Sequence, residues 1–232
     1  MNKKVVVISS IISLVLVAAV AGPWVYINLI KDDPPARLTL DTIPDESTTS
    51  IAAADAQGID GQWSIATGSV VGYRVKEILL GQDSEGVGRS NSVSGSLALR
   101  DNQVDTAEFA VEITTIRSDS SRRDSQFTGR IMDATTFPTA SFKLSAPISL
   151  DSEISVGTPI QVQATGDLTL RGVTKSVTFP IDAQYDGSTI QVAGSIDVVF
   201  ADWGIPNPSN AVVTTQEHGL LEFLLTFTRR RQ

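Results

Sequence analysis

From Gly61 to Thr228 apolar side chains recur at every second position, a period that specifies extended strands and leaves little room for packed helices. In "AEFAVEITTI", Phe109, Val111 and Ile113 fall on one face and Glu108 and Glu112 on the other. "SGSLALR" places Leu97 and Leu99 together, and "ASFKLSA" does the same with Phe142 and Leu144. "IQVQATGDLTL" aligns Val162, Ala164, Leu168 and Leu170; "VTFPIDAQY" aligns Val177, Phe179, Ile181 and Ala183. "TIQVAGSIDVVF" follows with Ile190, Val192, Ile196, Val198 and Phe200, and "GLLEFLLTFT" with Leu221, Phe223, Leu225 and Phe227. With "SVVGYRVKEI" around Tyr73, this makes about eight strands with one buried and one solvated face, the mark of an antiparallel sandwich or barrel.

Composition removes most chemistry. The chain has no Cys, which excludes disulfides, thiolate metal sites and cysteine nucleophiles. Its one histidine, His218, sits in the polar turn "TQEHGLLEF" and reads as solvated. There is no GxSxG elbow, phosphate loop or dinucleotide fingerprint, so no enzyme class and no cofactor is indicated. A net charge of −8 opposes a nucleic-acid partner. Asp101-Asn102 and Asp186-Gly187 carry turn chemistry.

The N-terminus has a different character. Val5 to Ile30 is almost wholly apolar, longer than the roughly 20 residues a helix needs to span a bilayer and longer than a signal-peptide core. Lys3 and Lys4 precede it, and Trp24 and Tyr26 are placed as interfacial anchors. Residues 1–30 are therefore expected to form a transmembrane anchor, with a cleaved signal sequence as the alternative. Either leaves the C-terminal domain outside the cytoplasm. Residues 31–60, rich in Pro, Asp, Ser, Thr and Ala, read as a flexible linker, residues 61–228 as the folded domain, and 229–232 as a basic tail. No feature fixes an oligomeric state, and a dimer is compatible with the sequence.

One segment breaks the two-residue period. "SSRRDSQFTGRIMD" places Phe127 and Ile131 at i, i+4, which predicts a short helix between strands. The cluster Ser118 to Asp124 at its start suits a helix N-cap, with head-group contact by two arginines as the alternative. "RDSQFTGRIMDATTFPTASFKL", then "GDLTLRGVTKSVTF", then "VVFADWGIPNP", in that order, resemble the signature of the YceI-like family across about Gly61 to Thr228. The resemblance implies an all-β, eight-stranded antiparallel, lipocalin-like barrel with one short helix. It also implies an apolar lumen that holds a long isoprenoid or quinone-like amphiphile. The histidines common in that family are absent here: "YRVKE", "LRGVTK" and "RDSQF" stand in their places, which argues against a metal or haem role.

On this reading Phe109, Phe142, Leu168, Phe179, Val198, Phe200 and Phe223 line the lumen, and Arg122, Arg123, Arg130 and Trp203 hold a head group at the rim. An apolar lumen offers a polar substrate no hydrogen bonds, whereas a hydrocarbon gains about 25 cal/mol per Å² removed from water. The alternative is that the phenylalanines fill the interior, leaving a ligand-free structural or protein-interaction barrel of the cell envelope. An enzyme acting on a lipid held in the lumen is a third, less favoured possibility.

Overall fold

The computed structural model describes residues 21, 22, 24, 25, 33–41, 58–79, 81–150, 154–210 and 213–230. Eight strands follow one another around a closed antiparallel barrel. They are β1 (Gly61–Ile65, resumed as Val70–Leu79), β2 (Gln82–Ser90, resumed as Val93–Arg100), β3 (Gln103–Glu112), β4 (Thr139–Leu144), β5 (Ile160–Leu170), β6 (Val173–Tyr185), β7 (Thr189–Val199) and β8 (His218–Arg229). Each pairs with its successor, and β8 closes on β1 with Trp63 opposite Arg229 and Val71 opposite Phe223.

Local chemistry explains the turns and the break in β1. Asp101-Asn102 joins β2 to β3 and Arg171-Gly172 joins β5 to β6, each with two successive positive φ angles (50° and 60°; 48° and 76°). Those are the angles a two-residue hairpin turn needs to match strand twist. Within β1 the chain bulges at residues 66–69, where the Ser69 hydroxyl donates to the carbonyls of Ala66 (2.9 Å) and Thr226 (3.2 Å) and accepts from the Thr226 N–H (2.9 Å). The bulge lets one long strand bend along β8 instead of ending.

Helix α1 (Ser121–Gln126) opens with the Ser120 side chain accepting from the Arg123 N–H, and continues as a π-turn over Phe127–Ile131. The expected single helix is thus two short pieces, lying across one end of the barrel. The opposite end is closed by Trp63, which packs edge-on to Tyr185 at 6.0 Å and donates its indole N–H to the Ile59 carbonyl (3.0 Å). Arg229 lies 4.9 Å over the Trp63 ring, so β8 reaches one residue into the expected basic tail.

The anchor expected over residues 1–30 lies, except for residues 21, 22, 24 and 25, outside the described residues. Among the described residues no helix is long and apolar enough to cross a membrane. Of the expected linker, residues 33–41 are extended and held on the outer wall: Arg74 donates to the Pro35 carbonyl (2.7 Å), Arg89 to that of Ala36, and Gln191 to the Asp41 carboxylate (2.7 Å).

Candidate functional site

The interior is divided in two. Phe109, Phe142, Phe179 and Phe223, from β3, β4, β6 and β8, meet as a ring of four across the middle of the barrel. Successive centroids are 5.6 Å (Phe109 to Phe142), 5.2 Å (Phe142 to Phe179), 6.0 Å (Phe179 to Phe223) and 5.4 Å (Phe223 to Phe109). The rings have room because the neighbouring strand carries a glycine beside two of them. A Cβ on Gly166 would stand 2.4 Å from the Phe142 ring, and one on Gly194 would stand 2.7 Å from that of Phe223. Any side chain at either position would push its ring out of the layer.

Above this floor is a cavity of about 490 Å³, within the range of small-molecule sites. Below it is an apolar space of about 90 Å³ among residues such as Leu99, Ile190 and Phe227. The upper cavity opens beside α1, and its walls are alternate residues of the strands: Val71, Tyr73 and Val75 of β1, Val111 of β3, Leu170 of β5, Val198 of β7 and Leu221 of β8. The Tyr73 ring stacks on Phe127 of the π-turn at 4.5 Å, which pins the cap to the wall. That stack lies against Gly88 of β2, where a Cβ would come within 2.4 Å of the Tyr73 ring.

A carboxylate interrupts the apolar face of β1. Glu77 shares the inward face of β1 with Val71, Tyr73 and Val75, is buried, and accepts from Arg123 of α1 at 3.1 Å. Arg123 also pairs with Asp119, so it stands between two carboxylates. Burial pushes the Tyr73 phenol well above its usual range, with the nearby Arg123 charge opposing, and the ring stays neutral. The arrangement offers a hydrocarbon-lined chamber with one hydrogen-bonding side near its mouth. Among the described residues, no lining side chain pairs a nucleophile with a base.

The residues expected to line the lumen separate into three groups. Val198 and Phe200 line the upper cavity; Phe109, Phe142, Phe179 and Phe223 form the layer beneath it and line the lower space; Leu168, opposite Phe142 in the β4–β5 register, is packed into the wall. Of the expected rim residues, Arg122 (exposed) and Arg123 border the cavity. Arg130 lies outside it and donates to the carbonyls of Asn207 (3.3 Å) and Pro208 (3.4 Å). Trp203 is buried, with the Lys175 ammonium 5.6 Å over its ring and its indole N–H without a partner among the described residues. His218 is exposed and lies 3.0 Å from Asp197. Sequence reasoning missed Tyr73 and Glu77, although the alternation of "VVGYRVKEI" places both on the apolar face.

The three signature segments meet at one corner of the barrel. Arg171 donates to the Gly204 carbonyl (2.6 Å), Lys175 pairs with Asp202 (3.2 Å), and the Phe137 ring covers Gly172, where a Cβ would come within 2.4 Å of it. Much of the signature is therefore scaffold: it fixes the β5–β6 turn against the turn after β7 and against the entry to β4.

The YceI-like domain family model matches residues 63–227. No curated protein sequence matches the chain. Solved structures share the fold, among them the following two. A polyisoprenoid binding domain from Saccharophagus degradans, implicated in plant cell wall breakdown, superposes with a TM-score of 0.59 at 14% identity, covering 74% of this chain and 99% of that one. BcnA of Burkholderia cenocepacia superposes at 0.52 with 19% identity, covering 66% and 95%.

Proposed function

The chain belongs to the YceI-like family, and on that premise we propose that it is a binding protein holding the chain of an isoprenoid or similar amphiphile in the upper cavity. The observation that carries this reading is the cavity itself: apolar walls around about 490 Å³, open beside α1, with the layer of four phenylalanines beneath. A filled barrel has no use for such a space, because every unfilled volume forfeits dispersion contacts. The hydrocarbon enters from the mouth and stops at the phenylalanine layer. The head group stays at the polar side, where Arg122, Gln126 and the Arg123–Glu77 pair border the opening. Arg123, already shared by Glu77 and Asp119, favours a neutral or weakly polar head over a strongly anionic one.

The N-terminal apolar stretch supports a tethered form of this protein, with the barrel on the extracytoplasmic side and the ligand exchanged with the membrane. Mass spectrometry of an organic extract of the purified full-length protein tests the binding. A prenyl-chain lipid recovered in a fixed ratio to protein is expected, and recovery of none would leave a structural barrel. N-terminal sequencing of the protein from the membrane fraction tests the tether, which requires residues 1–30 to be retained.

A further inference from the structure

Residues 33–41 run along the outer wall in a defined direction. Pro35 is held by Arg74, opposite Leu220 near the start of β8, and Asp41 by Gln191, opposite Thr226 near its end. Because Gly219 and Leu221 border the open cavity and Phe227 the closed half, the segment runs from the mouth toward the closed end. Asp33, at which the segment begins, therefore stands on the mouth side.

The wall beneath is built to be covered. Arg74 and Glu222 point outward yet are only 4% and 2% exposed, joined at 2.7 Å. Ala193 and Leu224, paired across β7 and β8, are buried but stand outside the interior cluster. Within the segment, Leu38 and Leu40 are the half-buried residues, with exposed neighbours on either side. This is a strap seated on the wall, and its course is directional.

The mouth also carries exposed apolar side chains. Ile78 (46% exposed) at the outer end of β1 and Val199 (40%) at the outer end of β7 both flank it. Ile30, the last residue of the apolar N-terminal stretch, is three residues from Asp33, a reach of about 10 Å at most. We propose that the mouth rim, with Ile78 and Val199, docks on the lipid bilayer and that the strap holds it there, so that a lipid passes between bilayer and cavity without crossing water. This rests on the reading of residues 1–30 as a membrane anchor.

The absence of native cysteine allows a direct test. Full-length Ile78→Cys and, at the closed end, Val156→Cys are labelled with a fluorophore in phosphatidylcholine vesicles containing nitroxide-labelled phosphatidylcholine. Quenching several-fold stronger at position 78 than at 156 is expected. Adding Leu38→Ser and Leu40→Ser, which lie outside the barrel interior, should bring the two positions toward equal quenching while the protein still floats with the vesicles. Flotation with equal quenching in the unmodified strap overturns the docking and leaves the anchor standing. Failure to float overturns both.

Discussion

Phe142 and Phe179 meet edge to face at 5.2 Å, 73° between ring planes, and with Phe109 and Phe223 they form a layer that lines the lower space and lies beneath the upper cavity. On the proposed function, the length of hydrocarbon accepted is set by this layer rather than by the length of the strands. Phe142→Ala should join the upper cavity to the apolar space below and shift the retained prenyl chains to longer species. The same change costs about 3–5 kcal/mol of stability, the usual loss for a buried phenylalanine truncated to alanine. Urea unfolding and the chain-length distribution of lipids bound after reloading with a prenyl alcohol series check both.

Outside the barrel, Arg74 and Glu222 form a buried pair that Glu85 extends at 2.5 Å. Burial would pull the Arg74 guanidinium down, but hydrogen bonds and charge from Glu222 and Glu85 more than reverse this and hold it above its usual value. Glu222→Leu takes from Arg74 its most buried partner, leaving Glu85 and the Pro35 carbonyl, and should cost about 1–3 kcal/mol, whereas Arg74→Met combined with Glu222→Leu should recover most of that loss. A double-mutant cycle by urea denaturation measures the difference. Equal losses in single and double variants would mean that the pair contributes through packing alone.

The β6–β7 turn gives a pH signature. One Asp186 oxygen accepts from the backbone N–H groups of Ser188 (2.8 Å) and Thr189 (2.6 Å), and the other from the Thr189 hydroxyl (2.6 Å). Burial alone would raise this carboxyl, but the hydrogen bonds prevail and hold it below its usual range. A depressed value means the stabilisation is complete above the unfolded value of about 3.9 and is lost as pH falls through the lower folded one. The melting temperature of Asp186→Asn should therefore lie below that of the wild type near pH 6, the gap narrowing below about pH 4. A gap that stays constant to about pH 2 would remove Asp186 from the acid response.

Most of the fold is legible in the sequence because seven of the eight strands alternate cleanly. The exception is "QDSEGVGRS", the first part of β2, where Gly86 and Gly88 replace inward-facing apolar residues because Glu77, Arg123 and the Tyr73 ring lie against them. A strand that yields its inward side chains to a neighbour's leaves no period to read. The floor was illegible for a different reason. Alternation tells which way Phe109, Phe142, Phe179 and Phe223 point, but their common level depends on the stagger of four strands around the closed barrel. The strap was hidden too, since Arg74 and Glu222 look like solvated charges until Pro35 and its neighbours cover them.

On the proposed function, the upper half of the barrel holds the ligand and the middle does not. Binding of a fluorescent prenyl probe to delipidated wild type, Val198→Trp and Leu168→Trp, with a thermal melt of each ligand-free protein, tests it most directly. Val198 borders the cavity, so its indole should occupy ligand space, abolishing binding while leaving the melt nearly unchanged. Leu168 is 1% exposed beside Phe142, so the larger ring there overpacks and should cost about 1–3 kcal/mol. Full binding by Val198→Trp, or a melt lowered as far as that of Leu168→Trp with no probe bound by wild type, would rule out ligand binding in the upper cavity.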